Sequence, residues 1–150
     1  MTLVAVALGS NLGDRRAHLE HARARLTRLL IDACFSREMD TEPVGVRVQP
    51  RFLNAAAVGR TALDPHALLR ELLAIEAERG RVRPAPGVAR TLDLDLILFG
   101  DRIVESPDLI LPHPRFRERR FVLSPLAEIA PDMVDPVSGL TIRDLVSRLG

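Results

Sequence analysis

The sequence predicts an α+β fold, a mainly antiparallel sheet with helices packed against it. Three observations predict it. Runs of strand length and strand composition occur at 3–9, 33–39, 52–61 and 91–99. Two stretches, 15–31 and 65–79, place leucine and alanine at helical spacing. Loops rich in Pro and Gly, 40–51 and 81–90, separate the strands that follow.

The elements follow in order. "LVAVALG" at 3–9 is a buried strand, and "GSNLGD" at 9–14 is a turn whose Asp14 can cap the next helix. Helix 15–31 carries Leu19, Ala22, Leu26, Leu29 and Leu30 on one stripe. A second strand, 33–39, runs into the loop "DTEPVGVRVQPR", and "FLNAAAVGRT" is the third strand. In "LDPHALLRELLAIEAERG", Asp64 is the N-cap, Pro65 stands at the first helical position and Gly80 closes the helix. The basic loop "RVRPAPGVAR" leads to the fourth strand. "DRIVES" is read as a short hairpin with that strand's end, and "LPHP" (111–114) as extended. "RFVLSPLAEIAPD" holds a helix of two or three turns, and "TIRDLVSRLG" a short terminal helix capped by Thr141. Strand–helix–strand–strand–helix–strand is the ferredoxin-like βαββαβ order, with a C-terminal helical extension. The expected sheet has four strands, with helices on one face and the tail adding cover elsewhere.

Composition narrows the function classes. The 150 residues are read as a single domain, 1–150, large enough to stand as a monomer. The net charge of +1 gives no overall pull toward nucleic acid or membrane. No apolar run approaches the roughly 20 residues of a membrane span. All 21 basic residues are arginine, so a Walker-type loop, which needs lysine, is excluded. Any cation-held phosphate must be held by arginine. The single cysteine, Cys34, is read as a small buried hydrophobe, and a reducing cytoplasm is the expected setting.

The chemistry starts at "RTLDLDLILFG" (90–100). Asp93 and Asp95 stand at i and i+2, so a strand turns both carboxylates to one face, roughly 7 Å apart along the chain. Aspartate is disfavoured in strands. At an effective dielectric of 20, two such charges repel by about 2.5 kcal/mol. A sheet face open to water could solvate them. A divalent, oxygen-seeking cation such as Mg²⁺ would offset the repulsion, using one or two carboxylates with phosphate oxygens and water. Arginines surround the strand: Arg81, Arg83 and Arg90 before it, then Arg115, Arg117, Arg119 and Arg120 beyond His113. Each could be solvated surface, but together they read as a polyphosphate clamp. Carboxylates for Mg²⁺ plus arginines for phosphate point to phosphoryl-type transfer. The sequence shows no activated Ser or Cys nucleophile, so the substrate would supply the attacking hydroxyl.

"ALGSNLGDR", "FLNAAA", "IEAERGRVR", "RTLDLDLILFG", "LPHPRFRERRFVL" and "PLAEIAPD" occur in this order across roughly residues 4 to 133. In these motifs the chain resembles the 6-hydroxymethyl-7,8-dihydropterin pyrophosphokinase family of folate biosynthesis. The resemblance implies transfer of an intact pyrophosphoryl group from ATP to the pterin's hydroxymethyl oxygen, with release of AMP. It implies that Asp93 and Asp95 hold two Mg²⁺ ions on the ATP phosphates and that Asp95 lies nearest the attacking hydroxyl. Arg83 and Arg90 match catalytic loop arginines that reach ATP, and Glu76, His113 and Arg119 match further nucleotide-site residues. For the pterin, Phe52 and Phe121 match two aromatics that sandwich the ring, and Asn54, Thr41 and Val44 match its edge contacts. In a chain with five Phe and no Trp or Tyr, rings are scarce. Yet each Phe is equally readable as core packing, and a strand Asn as satisfied by backbone. Loops 10–14, 43–51 and 81–90 are expected to ring the site as lids.

The chain departs from some members at "PGVAR", which is shorter than their Trp-Gly-Pro run, and at Leu73, Asp108 and Ile110, where they carry Gln, Arg and Thr. Two other classes compete. A Mg²⁺-dependent nucleotidyltransferase would release pyrophosphate, though the Gly-Ser helix motif that precedes such an Asp pair is missing. A ferredoxin-like module for RNA would need exposed stacking aromatics, and no "GFGFV"-like run exists. Small molecules, with neither nucleic acid nor membrane, are therefore the expected partners.

Overall fold

A computed structural model describes residues 1–41, 51–80 and 91–150. Strand β1 (Thr2–Ser10) is central. It pairs antiparallel over its whole length with β4 (Phe52–Thr61), from Thr2 opposite Thr61 to Ser10 opposite Leu53. Its other edge pairs antiparallel with β5 (Asp93–Phe99). Strands β2 (Ile31–Phe35) and β3 (Met39–Thr41) both pair with β4, giving the order β2-β4-β1-β5 with β3 beside β2. This is the expected ferredoxin-like antiparallel order, with one strand more than expected. The single run foreseen at 33–39 is broken at Ser36. There the Ser36 hydroxyl accepts from the Ala56 N–H at 2.8 Å, and the Ser36 N–H donates to the Ala56 carbonyl. The side chain stands in for a ladder carbonyl, so pairing continues while the strand does not.

Helices α1 (Arg15–Leu29) and α2 (Pro65–Glu78) cover one sheet face. Asp14 and Asp64 cap them, accepting from the Ala17 and Ala67 N–H groups at 3.1 and 2.8 Å. Leu19, Ala22, Leu26, Leu68, Leu72 and Ile75 meet Val4, Val6, Leu8, Leu92, Leu94 and Leu96 in this first core. Helix α1 runs directly into β2, and Gly59 lets it pass: a Cβ there would lie 2.8 Å from the Leu30 Cβ. The second face is covered by the tail. A 3-10 turn (Phe116–Glu118), α3 (Arg120–Ile129) and α4 (Ile142–Leu149) close over Ala5, Ala56, Val58, Ile97 and Leu98. Thr141 and Asp144 form a reciprocal capping box on α4.

Two expectations are corrected. "DRIVES" does not pair with the end of β5. Val104–Ser106 (β6) pairs instead with Leu109–Leu111 (β7) in a separate two-stranded sheet. The turn at 100–103 and the following residues give the chain a closer partner than β5. Cys34 is exposed, not buried. It sits on the edge strand opposite Val58, where the second-face helices cover Val58 but leave β2 open. Among the described residues, no helix is long and apolar enough to cross a membrane.

Candidate functional site

Residues directly opposite in an antiparallel pair share a face. Asp95 is opposite Ala7, which is opposite Ala56. Asp93 is opposite Gly9, which is opposite Asn54. Asn54 and Phe52 alternate on β4, and Thr41 on β3 is opposite Phe52. Asp93, Asp95, Asn54, Phe52 and Thr41 therefore stand on the tail-covered face. They occupy its far end, beyond the apolar cluster under α3 and α4. Both aspartates are half-buried. Between them and Asn54 the floor is Ala7 and Gly9, small residues that leave a shallow trough.

Gly9 is small for a steric reason. A Cβ there would lie 3.1 Å from Asn54 Oδ1 and 3.8 Å from the Phe52 ring. Asn54 is buried, and its Nδ2 donates to Thr41 Oγ1 at 2.5 Å, which fixes the amide with Oδ1 toward Gly9.

The strand register that makes this face also changes within β5. A bulge at Ile97 puts both Ile97 and Leu98 into the second core and returns Phe99 to the first. The Ile97 carbonyl accepts from the His113 N–H at 3.0 Å. The bulge thus anchors His113, between Pro112 and Pro114, beside the aspartate strand. The Arg115 N–H donates to His113 Nδ1 at 3.3 Å, so the neutral ring carries its proton on Nε2. Burial pushes the His113 pKa down and the Arg119 guanidinium adds to this, while Asp93 pulls it partly back. Arg119 and Asp93 thus both lie near enough to act on the His113 ring. A neutral His113 presents an N–H donor without adding a charge.

Arg119 caps α3 through its backbone: its carbonyl accepts from Val122 and Leu123, both at 3.0 Å. Its guanidinium lies over the Phe121 ring, 5.6 Å from the centroid. Arg119 and Arg120 thus sit at the positive end of a helix, which is locally unfavourable and which an anionic ligand would offset.

Glu76 is buried and its Oε2 accepts from the Leu94 N–H at 2.6 Å. It reaches the outer edge of β5 from α2, on the strand between the two aspartates. Of the departures noted in the sequence, Leu73 is half-buried and Ile110 exposed, while Asp108 lies 3.3 Å from His66 and accepts from Ser106. Val44, Arg83 and Arg90, with Arg81, lie outside the described residues, as do most of the loops expected as lids at 43–51 and 81–90.

The arginine cluster after His113 is redistributed by tertiary partners. Arg115 pairs with Glu118 at 2.9 Å, Arg117 with buried Asp135, and Arg120 donates to the Gly150 carbonyl at 3.3 Å. The expectation of one clamp made of all four is corrected. Arg115 takes a neighbour three residues on, while the partners of Arg117 and Arg120 come from distant segments, which spacing along the chain cannot reveal. The bulge at Ile97 and the pairing of Asp135 were likewise missed. A bulge leaves no clear mark in an all-apolar run.

The donor set suits a magnesium site completed by its ligand. Two carboxylates at i and i+2 share an open end of one face, and Mg²⁺ ordinarily takes its other oxygens from phosphate and water. Among the described residues no three His, Cys, Asp or Glu side chains gather as a self-contained metal cage.

Comparison with known proteins agrees with the motifs. The family model for 7,8-dihydro-6-hydroxymethylpterin-pyrophosphokinase matches residues 5–131. A 2-amino-4-hydroxy-6-hydroxymethyldihydropteridine pyrophosphokinase of Synechocystis is 44% identical over 149 residues, covering 96% of this chain and 74% of the relative. The Methylorubrum extorquens protein of the same name is 42% identical over 151 residues, covering 99% of this chain and 94% of its own. A crystal structure of wild-type Plasmodium falciparum HPPK-DHPS superposes with a TM-score of 0.77 at 16% identity, covering 98% of this chain and 44% of that one, and shows the shared fold. The chain belongs to the 7,8-dihydro-6-hydroxymethylpterin-pyrophosphokinase family of enzymes.

Proposed function

We propose that this chain transfers a pyrophosphoryl group from ATP to the hydroxymethyl oxygen of 6-hydroxymethyl-7,8-dihydropterin, releasing AMP, in folate biosynthesis. The observation that carries the reading is the single sheet face shared by Asp93 and Asp95, the Ala7–Gly9 floor, Asn54 and Phe52, with His113 and Arg119 brought beside it. Asp93 and Asp95 would hold the Mg²⁺ ions, two by resemblance to the family. When bound, the metal neutralises phosphate oxygens and helps align the hydroxyl with the β-phosphorus.

The remaining work is positional. Phe52 and Phe121 offer ring faces for the flat pterin, and Asn54, Thr41 and Val44 its polar edge. His113, as a neutral Nε2–H donor, and Arg119, from the α3 terminus, bind ATP oxygens, with Arg83, Arg90 and Glu76 assigned to the nucleotide side by resemblance. Asp95 stands nearest the attacking hydroxyl and acts by its charge. One domain carries all of these groups. A monomer in a reducing cytoplasm fits a chain with one cysteine.

One incubation tests the reading: protein, ATP, Mg²⁺ and 6-hydroxymethyl-7,8-dihydropterin, with the adenine products separated by chromatography. AMP formed only when pterin is present is the expected result. ADP would mean single phosphoryl transfer. Pyrophosphate with an adenylated pterin would mean nucleotidyl transfer, and either outcome would overturn the proposal.

A further inference from the structure

Asp135 is fully buried in the tail, 22 residues after His113, and belongs to none of the groups assigned to the site. Its carboxylate accepts four hydrogen bonds: from Arg117 Nε at 2.5 Å and Nη2 at 2.9 Å, from the Val137 N–H at 3.0 Å and from Ser138 Oγ at 2.6 Å. The Arg117 fork is thereby bidentate, the most directional form of this pair. Arg117 also lies over the Phe116 ring, 4.8 Å from its centroid, and Phe116 is fully buried in the second core. Both residues belong to the 3-10 turn. That turn has His113 on one side, through the Phe116 N–H to His113 carbonyl bond, and Arg119 on the other, through the Arg119 N–H to Phe116 carbonyl bond.

We propose that Asp135 is a positioning residue for the nucleotide side of the site. Through Arg117 it locks the 3-10 turn that sets the separation and aim of His113 and Arg119. The inference rests on the function proposed above. The turn's backbone bonds are long, three N–H to carbonyl contacts of 3.2–3.4 Å, and the Arg115–Glu118 pair across it is solvent-exposed, so the buried Arg117–Asp135 fork is its strongest tie. Phe116, fully buried, anchors one side of the turn to the second core. The Arg117 fork, on the neighbouring residue and held by a carboxylate that accepts four hydrogen bonds, supplies a second, directional tie to the tail. Most of the pterin side is remote from this lock: Phe52, Asn54 and Thr41 sit on strands β4 and β3, and only Phe121 follows the turn on α3.

Steady-state kinetics of native protein, Asp135→Asn and Arg117→Lys test it, with ATP and pterin varied separately. Asn keeps the shape and one acceptor oxygen, enough for the Val137 N–H, but puts an NH2 donor where the other oxygen accepted, so the charged fork is lost. Asp135→Asn is expected to raise KM for ATP about tenfold while KM for pterin stays within about twofold. Arg117→Lys, which keeps a charge without the fork, is expected to fall between native and Asp135→Asn. Calorimetric titration with Mg²⁺ and a non-hydrolysable ATP analogue reads the same loss without turnover. If Asp135→Asn folds poorly, Arg117→Lys carries the test alone. Equal changes in both KM values, or a lowered melting temperature with neither KM changed, would make the pair merely structural and overturn the proposal. A native protein that forms no AMP would overturn the underlying reading, and the lock with it. Native activity with an unchanged ATP constant in both variants would overturn the lock alone.

Discussion

Gly9 has room for a hydrogen and little more, because Asn54 Oδ1 would lie 3.1 Å from any Cβ. Gly9→Ala therefore displaces the Asn54 amide by a few tenths of an ångström and strains its bond to Thr41. Steady-state kinetics should show KM for pterin raised several-fold with KM for ATP little changed, since the nucleotide-side groups stand on other segments. Asp95→Asn makes the opposite kind of change: same shape, no charge. Turnover should fall by at least about a hundredfold, the scale of losing one preorganised charge aimed at a reacting centre. Circular dichroism and melting temperature should stay near native values, because the residue is half-exposed and the substitution isosteric. A near-normal rate in Asp95→Asn would remove the central assignment.

At the scale of elements, strand β5 does two jobs. Its even residues, Leu94 and Leu96, fill the helix-side core with Leu92 just before the strand, and its odd residues, Asp93 and Asp95, face the trough. The strand lies at the sheet edge, so its outer N–H groups need partners from elsewhere. Glu76 supplies one to Leu94, between the aspartates. Glu76→Ala leaves that buried N–H without its acceptor, at a cost of about 1–3 kcal/mol. Glu76→Gln retains an acceptor oxygen and should cost less. Urea unfolding of the two variants measures the difference. The bulge that ends the aspartate stretch is equally specific in effect: it turns Ile97 so that its carbonyl meets His113.

For the whole molecule, the tail closes the second core and tethers the site. Burial pushes the Asp135 carboxyl up, yet Arg117, Ser138 and the Val137 N–H outweigh it and hold its pKa down to about 2. A carboxylate depressed in the folded state stabilises the fold above its unfolded pKa of roughly 4. That contribution is lost as pH falls through the folded value. Melting temperature should therefore decline between about pH 4 and pH 2 in the native chain. Asp135→Asn should melt lower at neutral pH, since breaking a buried pair costs about 3–5 kcal/mol, and should converge with the native curve near pH 2. Parallel curves across that range would show that the pair does not set the acid limb. Glu78, held down to about 2 by Arg25 and then His21, moves in the same direction, but it is exposed and its share should fade with salt.

Much of this molecule was legible in the chain alone. Helix starts at Asp14, Asp64 and Thr141, and the shared face of Asp93 and Asp95, depend on residues two to four apart, and short-range spacing determines them. The ferredoxin-like order follows from the alternation of runs and breaks, and the family follows from ordered motifs. Tertiary structure decided the rest. Cys34 is exposed because β2 became an edge, Ser36 split a strand by bonding Ala56, and Arg117 and Arg120 took distant partners from one basic run. Each of these depends on register or on a group far along the sequence. A bidentate pair such as Arg117 and Asp135 forms only when the second core brings its halves together, so no local pattern announces it.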